Sequence, residues 1–367
     1  MKPLKIGDLT IKVPIIQGGM GVAISLSGLA SAVANQGGVG VISAVGIGML
    51  EPDYIKNFRN ANKRALSKEI QKARKLSQQG IIGVNLMYAV SDFDDLLEVV
   101  IDEKTDIVFI SAGLPLKNPV NLPVEKLENS GVKIIPKISS PRAAKLIFQY
   151  WVNHYNRVPD GIVIEGSLSG GHLGFKKTEL INPKIKLSDL IKETIEILKP
   201  FEDKFNVEIP VIAAGGIYTG EDIHNIMQSG AKAVKMGTRF VPTFECDADE
   251  AFKMSYISAK KEDIVLIDSP VGLPGRVVKN KFVEDILKGI KKPVSCPWKC
   301  LKTCDYKKVS FCIAQALFNA AQGKMEEGFA FAGTNAYLTE KLQSVKEIFA
   351  ELITGYNKAK QLESVII

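Results

Sequence analysis

Histidine is scarce in this chain: among 367 residues only His154, His172 and His224 carry an imidazole. With so few, and with no tight cluster of carboxylates, a mononuclear metal site inside the fold is not expected, and no metal ligand is assigned. Cysteine is absent from the first 245 residues, and the five thiols beyond them are odd in number, which argues against a complete disulfide framework. No uninterrupted apolar run approaches the length that spans a membrane. No apolar segment with a cleavage site follows Met1-Lys2-Pro3-Leu4-Lys5, so the chain reads as cytoplasmic. Charge of one sign is not concentrated either. The 47 basic and 40 acidic residues are interspersed, and no basic stripe interleaves with aromatics, so nucleic acid is not an expected partner. The residual net charge of +7 mildly favours an anionic ligand.

What is present is an alternation. Short β-branched runs end in glycine or a polar residue: Val13–Ile16, Val39–Ile42, Ile81–Val84, Ile107–Ile110, Val132–Ile135, Gly161–Ile164, Val211–Ala213, and Ala233–Val234 with Met236. Runs of this kind, without strict alternation, suit strands buried on both faces of a parallel sheet. Amphipathic stretches lie between them: Ser25–Asn35, Asn62–Gln79, Phe93–Glu103, Val124–Ser130, Pro141–Val152, Leu187–Lys199 and Gly220–Ser229. Ser140 followed by Pro141 is a helix start, with a capping hydroxyl and a proline where no N–H is needed. Eight strands and seven helices in this order predict an α/β fold, a (β/α)8 TIM barrel over residues 1–240, in preference to an open doubly wound sheet. Residues 241–367 read as a mostly helical extension or lid. It has helices at Asp247–Ala259, Phe311–Gln322 and Val345–Thr354, with Lys260–Ser295 as loops and short helices.

In such a barrel the chemistry sits at the C-terminal ends of the strands. The residues after the eight runs are Gln17-Gly18-Gly19-Met20-Gly21, Ser43-Ala44, Asn85, Ser111-Ala112-Gly113, Lys137, Glu165-Gly166, Ala214-Gly215-Gly216 and Gly237-Thr238-Arg239. Ser43 and Ser111 are what any loop would show. The glycine-rich ends of the seventh and eighth runs say more. Barrels bind phosphate there through backbone N–H groups, and glycine lets the backbone come close because no Cβ intervenes. Thr238 and Arg239 are candidate further donors. No Walker motif is present, and Gly38-Val39-Gly40 lacks the third glycine of a dinucleotide fingerprint. His172 follows the sixth run on a glycine-rich loop from Glu165 to Gly174 and is the candidate general base, since imidazole titrates near neutrality. His154 reads as structural, and His224 as solvated on a helix.

Together, Pro14-Ile15-Ile16-Gln17-Gly18-Gly19-Met20-Gly21, Gly83-Val84-Asn85, Pro136-Lys137, Gly170-Gly171-His172-Leu173-Gly174, Pro210 through Ile217, and Met236-Gly237-Thr238-Arg239-Phe240 resemble the nitronate monooxygenase family. The resemblance implies FMN as cofactor. Gly19, Met20 and Gly21 would lie along the flavin ring. Asn85 and Lys137 would approach the ring and ribityl chain, Gly170 and Gly171 would flank them, and Gly215, Gly216, Met236, Gly237 and Thr238 would take the phosphate end. His172 would face the substrate side. The implied reaction is oxidation of alkyl nitronates or nitroalkanes with O2. A neutral His172 would serve as base, and a cationic one would hold an anionic substrate. The FMN-dependent enoyl-acyl-carrier-protein reductases, which use NAD(P)H, share nearly every one of these motifs and are the alternative. The partner is then a small-molecule substrate with O2 or NAD(P)H; a homodimer is left open. One departure is Phe331, in Phe329-Ala330-Phe331-Ala332-Gly333-Thr334-Asn335, which stands where some nitronate enzymes carry a serine. There Thr334 or Asn335 is a candidate substitute for the missing hydroxyl.

Cys296, Cys300 and Cys304 recur with three residues between each, and Cys312 follows after seven more residues. Thiolates in such a set suggest a metal or iron–sulfur ligand group, but the spacing matches neither paired Cys-x2-Cys zinc sites nor a ferredoxin run. The alternative is loosely packed thiols, with the first three on one face if the segment is a helix.

Overall fold

The computed structural model describes residues 1–116, 126, 129–292, 294–296 and 298–366. The chain opens with a short antiparallel hairpin, β1 (Leu4–Ile6) and β2 (Leu9–Ile11). Seven strands follow: β3 (Ile15–Gln17), β4 (Val39–Ser43), β5 (Ile81–Met87), β6 (Ile107–Ser111), β7 (Lys133–Ile138), β8 (Ile162–Glu165) and the two-residue β9 (Gly171–His172). Next come β10 (Val211–Ala214), β11 (Ala233–Met236), β12 (Ile264–Asp268) and β13 (Pro274–Val278). Strands β3 to β8, β10 and β11 pair in parallel and close into an eight-stranded barrel. The (β/α)8 barrel is therefore present, and each of the eight runs read from the sequence is one of its strands.

Register explains why those runs did not alternate. Val39 and Val41 of β4 belong to the cluster inside the barrel, with Ile107, Phe109, Ile135, Val163, Ile212 and Ala233, while Ile42 packs outward under the helices. Both faces of each strand are largely dry, so apolar residues follow one another without a polar alternation. Leu4, Ile6 and Ile11 of the hairpin join the inner cluster and plug one mouth of the barrel. The open mouth is the other one, at the strands' C-terminal ends.

Helices occupy Ser27–Asn35, Tyr54–Leu76, Phe93–Asp102, Pro141–Tyr155, Leu187–Phe205 and Gly220–Gln228. Ser140 caps the fourth by accepting the Ala143 N–H. The expected helix at 124–130 lies largely outside the described residues. No described helix is long and apolar enough to cross a membrane.

The extension differs from its sequence reading in two places. Helices do form at Glu250–Ile257, Ile313–Ala321 and Val345–Ile366. Lys260–Ser295, however, contains the antiparallel hairpin β12–β13 before a helix at Lys281–Leu287. The last helix also runs past Thr354, and its Glu363 takes the ring nitrogen Nε2 of His224 at 2.9 Å. His224 is thus buried, only 4% exposed, and not solvated.

The extension is bolted to the barrel by buried polar contacts. Asp247 accepts the N–H groups of Leu26 (2.8 Å), Gly28 (3.0 Å) and Leu29 (3.1 Å), satisfying donors at the start of the first barrel helix that would otherwise be orphaned. Burial pushes its carboxyl above the usual range, and those three bonds pull it back. Asp247→Ala should therefore leave buried donors unpaired and cost about 2–3 kcal/mol in urea unfolding. A loss below about 0.5 kcal/mol would show that water replaces the carboxylate at no cost.

Candidate active site

The open mouth holds a cavity of about 550 Å³. The candidate base and the residues that the family resemblance assigns to the cofactor line it: Gly19, Met20, Gly21, Asn85, Lys137, Gly170, Gly171, His172, Gly215, Gly216, Met236, Gly237 and Thr238. The turn after β3 is shaped by Gln17, whose Nε2 donates to Ser25 Oγ at 2.8 Å and whose Oε1 accepts the Val41 N–H at 2.8 Å. Ser25 Oγ in turn accepts the Met20 N–H at 3.0 Å. A Cβ on Gly19 would fall 2.4 Å from the Asn85 Cβ, so the turn can pass over β5 only as glycine. At the other wall Gly215 and Gly216 take φ values of +101° and +76°, which L side chains rarely adopt.

His172 is held from both directions. It does not sit on a free loop, as the sequence suggested, but in β9, which pairs with β13: His172 stands opposite Gly275 and Gly171 opposite Arg276. Leu173 N–H donates to the Pro274 carbonyl at 2.9 Å. Arg276, buried, donates to the Ser169 carbonyl. The His172 ring meets Ser269 Oγ through Nε2 at 2.7 Å and packs edge-on against Phe331 with centroids 4.8 Å apart. Burial, helped by the Lys137 charge, pushes the imidazole down to about 4. It is therefore neutral near pH 7.

Lys137 is not free. Its Nζ lies 2.8 Å from a Glu165 oxygen, so the pair presents little net charge. A buried cation below the cavity went unread in the sequence because it interrupts an apolar run. Lys235, on β11, points into the barrel with Ala233 and places its Nζ 4.0 Å from the centre of the Phe109 ring. Its hydrogen bond to the Gln17 carbonyl is long, at 3.4 Å. Burial, with the Lys137 charge, pushes it down to about 7, and Glu165 opposes that only in part. Ser43 also lines the cavity, and its buried Oγ finds no partner among the described residues. A polar ligand is the kind of group such an atom lacks.

Three residues expected near a ligand are used elsewhere. Arg239 turns outward to Gln343 (2.9 Å) and Glu351, over the Tyr218 ring. Thr334 N–H and Oγ1 both bond the Leu168 carbonyl, and Asn335 Nδ2 bonds the Gly216 carbonyl at 2.8 Å. Beside them Gly333 N–H donates to Thr238 Oγ1 at 2.9 Å. This segment closes the glycine-rich corner and offers no side-chain hydroxyl to the cavity.

The profile of the nitronate monooxygenase family matches residues 2–355. The chain belongs to that family. This places it among the oxidoreductases, and the names of its relatives agree. A probable nitronate monooxygenase of Staphylococcus saprophyticus is 26% identical over 76% of this chain and 79% of its own length. The (3aS,4S,5R,7aS)-5-hydroxy-7a-methyl-1-oxo-octahydro-1H-indene-4-carboxyl-CoA dehydrogenase of Mycobacterium tuberculosis is 26% identical over 76% of this chain. The match spans 66% of that enzyme and 64% of its Rhodococcus jostii counterpart, just under two thirds of each. Among solved structures, FabK from Thermotoga maritima superposes with a TM-score of 0.74 at 27% identity, covering 97% of this chain and 96% of that one. A nitroalkane oxidase from Streptomyces ansochromogenes superposes with a TM-score of 0.72 at 20% identity, which speaks for the fold alone.

Lys235 gives this site a pH signature. Its folded-state value is depressed, so the folded protein sheds a proton that the unfolded chain keeps. The resulting destabilisation is full below about pH 7 and vanishes as pH rises towards the ordinary lysine value near 10.4. Lys235→Met should accordingly stabilise the cofactor-free protein by about 1–2 kcal/mol near pH 7, and by progressively less towards pH 10. A variant less stable than the parent at pH 7 would mean that the ammonium is compensated by its surroundings.

Proposed function

We propose that this protein is an FMN-dependent oxidoreductase that oxidises alkyl nitronates with O2. One observation carries the reading: the residues that the family resemblance assigns to flavin and substrate all line a single cavity at the chemically competent mouth of the barrel. The residues also suit the cofactor. The unpartnered Ser43 Oγ lacks a polar ligand, and the glycines after β10 and β11 leave backbone where side chains would otherwise stand. When bound, FMN supplies the redox chemistry, and the protein supplies position and electrostatics.

In this reading Gly19, Met20 and Gly21 flank the ring. Asn85 and Lys137 meet its polar edge, and Gly170 and Gly171 border it. Gly215, Gly216, Met236, Gly237 and Thr238 seat the phosphate. His172 addresses the substrate. Ser269 Oγ, 2.7 Å from His172 Nε2, is assigned as the donor in that bond. Nδ1 then carries the ring proton and is the nitrogen left to donate to a nitronate oxygen. A base held near pH 4 is poorly matched to removing a carbon-bound proton. The preformed nitronate is therefore the better substrate than the neutral nitroalkane.

Reduction of an enoyl thioester by NAD(P)H is the second reading. The wall around His172 favours it, since Phe331, Leu273, Val271, Ile313 and Leu317 would receive an acyl chain.

An anaerobic stopped-flow experiment separates the two. Propyl nitronate should bleach the flavin, and the neutral nitroalkane should do so more slowly. Rapid bleaching by NADPH with none by nitronate would transfer the assignment to reduction. A colourless protein that takes up no FMN contradicts both. Gly237→Val should abolish FMN retention. Its φ of −102° suits any residue, and a Cβ there meets only the Met20 side chain at 3.3 Å, so valine would fold but fill the seat. Unchanged flavin content in that variant would place the phosphate elsewhere.

A further inference from the structure

The four cysteines of the extension come together. Cys300 interacts electrostatically with Cys296, Cys304 and Cys312. Cys304 does so with Cys296 and Cys312, and Cys312 with Cys296. No pair is bonded as a disulfide. None of the described residues between 296 and 304 is helical, so Cys300 and Cys304 do not share a helical face. They are gathered by tertiary contacts. The Ser91 N–H donates to the Cys300 carbonyl at 3.0 Å, and Lys302 N–H to the Ala89 carbonyl at 2.9 Å. Val90 bridges Leu301, which straps the segment onto the loop after β5. Trp298 stacks on Phe58 with centroids 5.3 Å apart.

We propose that Cys296, Cys300, Cys304 and Cys312 ligate a four-iron, four-sulfide cluster beside the barrel cavity. Four thiolates are the ligand set of both a structural zinc ion and such a cluster. Position favours the cluster: Cys300, Leu301 and Thr303 line the same cavity as His172. Among the described residues no three of these thiols already stand as the ligands of one metal ion, so they would close on the group as it binds. A one-electron centre has a use beside a redox site, whereas a purely structural ion has no reason to be there.

The surroundings suit an anionic cluster. Cys312 is the N-cap of helix Ile313–Ala321, and its sulfur takes the backbone N–H groups of Ala314 and Gln315. A helix N-terminus favours negative charge, and N–H donors to sulfur tune such clusters. Lys299, Lys302, Lys307 and Lys308 share the same stretch of chain. Trp298 buries an Nε1 that has no acceptor among the described residues, and a sulfur is an acceptor of the kind it lacks.

The test uses full-length protein purified without oxygen and reconstituted with ferrous iron and sulfide. It does not depend on the flavin. About four iron and four acid-labile sulfide per chain are expected, with an iron–sulfur EPR signal on dithionite reduction. Cys300→Ser and Cys304→Ser should each lose most of the iron. Cys246→Ser, at a buried thiol outside the group, should keep it. If the two serine variants do not fold, the wild-type iron and sulfide content decides. About one zinc with no sulfide, two disulfides, or iron below about one per chain would each overturn the proposal.

Discussion

The pairing of Gly171 and His172 with β13 is the constraint on which the site depends. Two residues of strand are too short to hold themselves. They hold because Leu173 N–H reaches Pro274, Arg276 reaches the Ser169 carbonyl, and Phe331 closes on the imidazole. The barrel builds the floor and the glycine-lined rim, and the extension sets the histidine over them. Asp247, gripping the first barrel helix, ties the extension to the barrel, and Glu245, accepting the Val345 N–H at 3.0 Å, fastens the last helix within the extension.

The electrostatics follow from burial. Lys137 spends its charge on Glu165. His172, desolvated and facing that lysine, is neutral. Lys235 is left as the ionisable group poised near neutrality, beneath the cavity and over an aromatic face. A site of this kind discriminates by donated hydrogen bonds and shape more than by a fixed positive charge. That is why the proposed chemistry leans on the cofactor and not on a strong side-chain base.

The barrel was legible because its strands are buried on both faces. Ile107 to Ile110 has no tolerable polar position, and a continuous β-branched run is its only solution. The glycine ends were legible because close backbone approach admits one residue type. The hairpin β12–β13 was not. Its strands are five residues each, half exposed at Ile264–Leu266, and separated by a turn at Ser269–Leu273, so lysine, glycine and proline masked the strand signal. Lys235 was hidden because a cation inside a barrel breaks the apolar pattern that marks a strand. His224 sits among Glu221, Asp222 and Asn225 and looks solvated; only the far end of the last helix, through Glu363, shows otherwise.

In the proposed site the barrel's last two strand ends grip the phosphate of a flavin, with His172 held over the ring by the extension. A crystal structure of the coloured protein as purified tests it most directly. It should show the phosphate hydrogen-bonded to backbone N–H groups of Gly216, Gly237 or Thr238, with the ring beside Met20. A flavin anchored at the mouth plugged by Leu4, Ile6 and Ile11, or a phosphate bound away from those glycines, would contradict it.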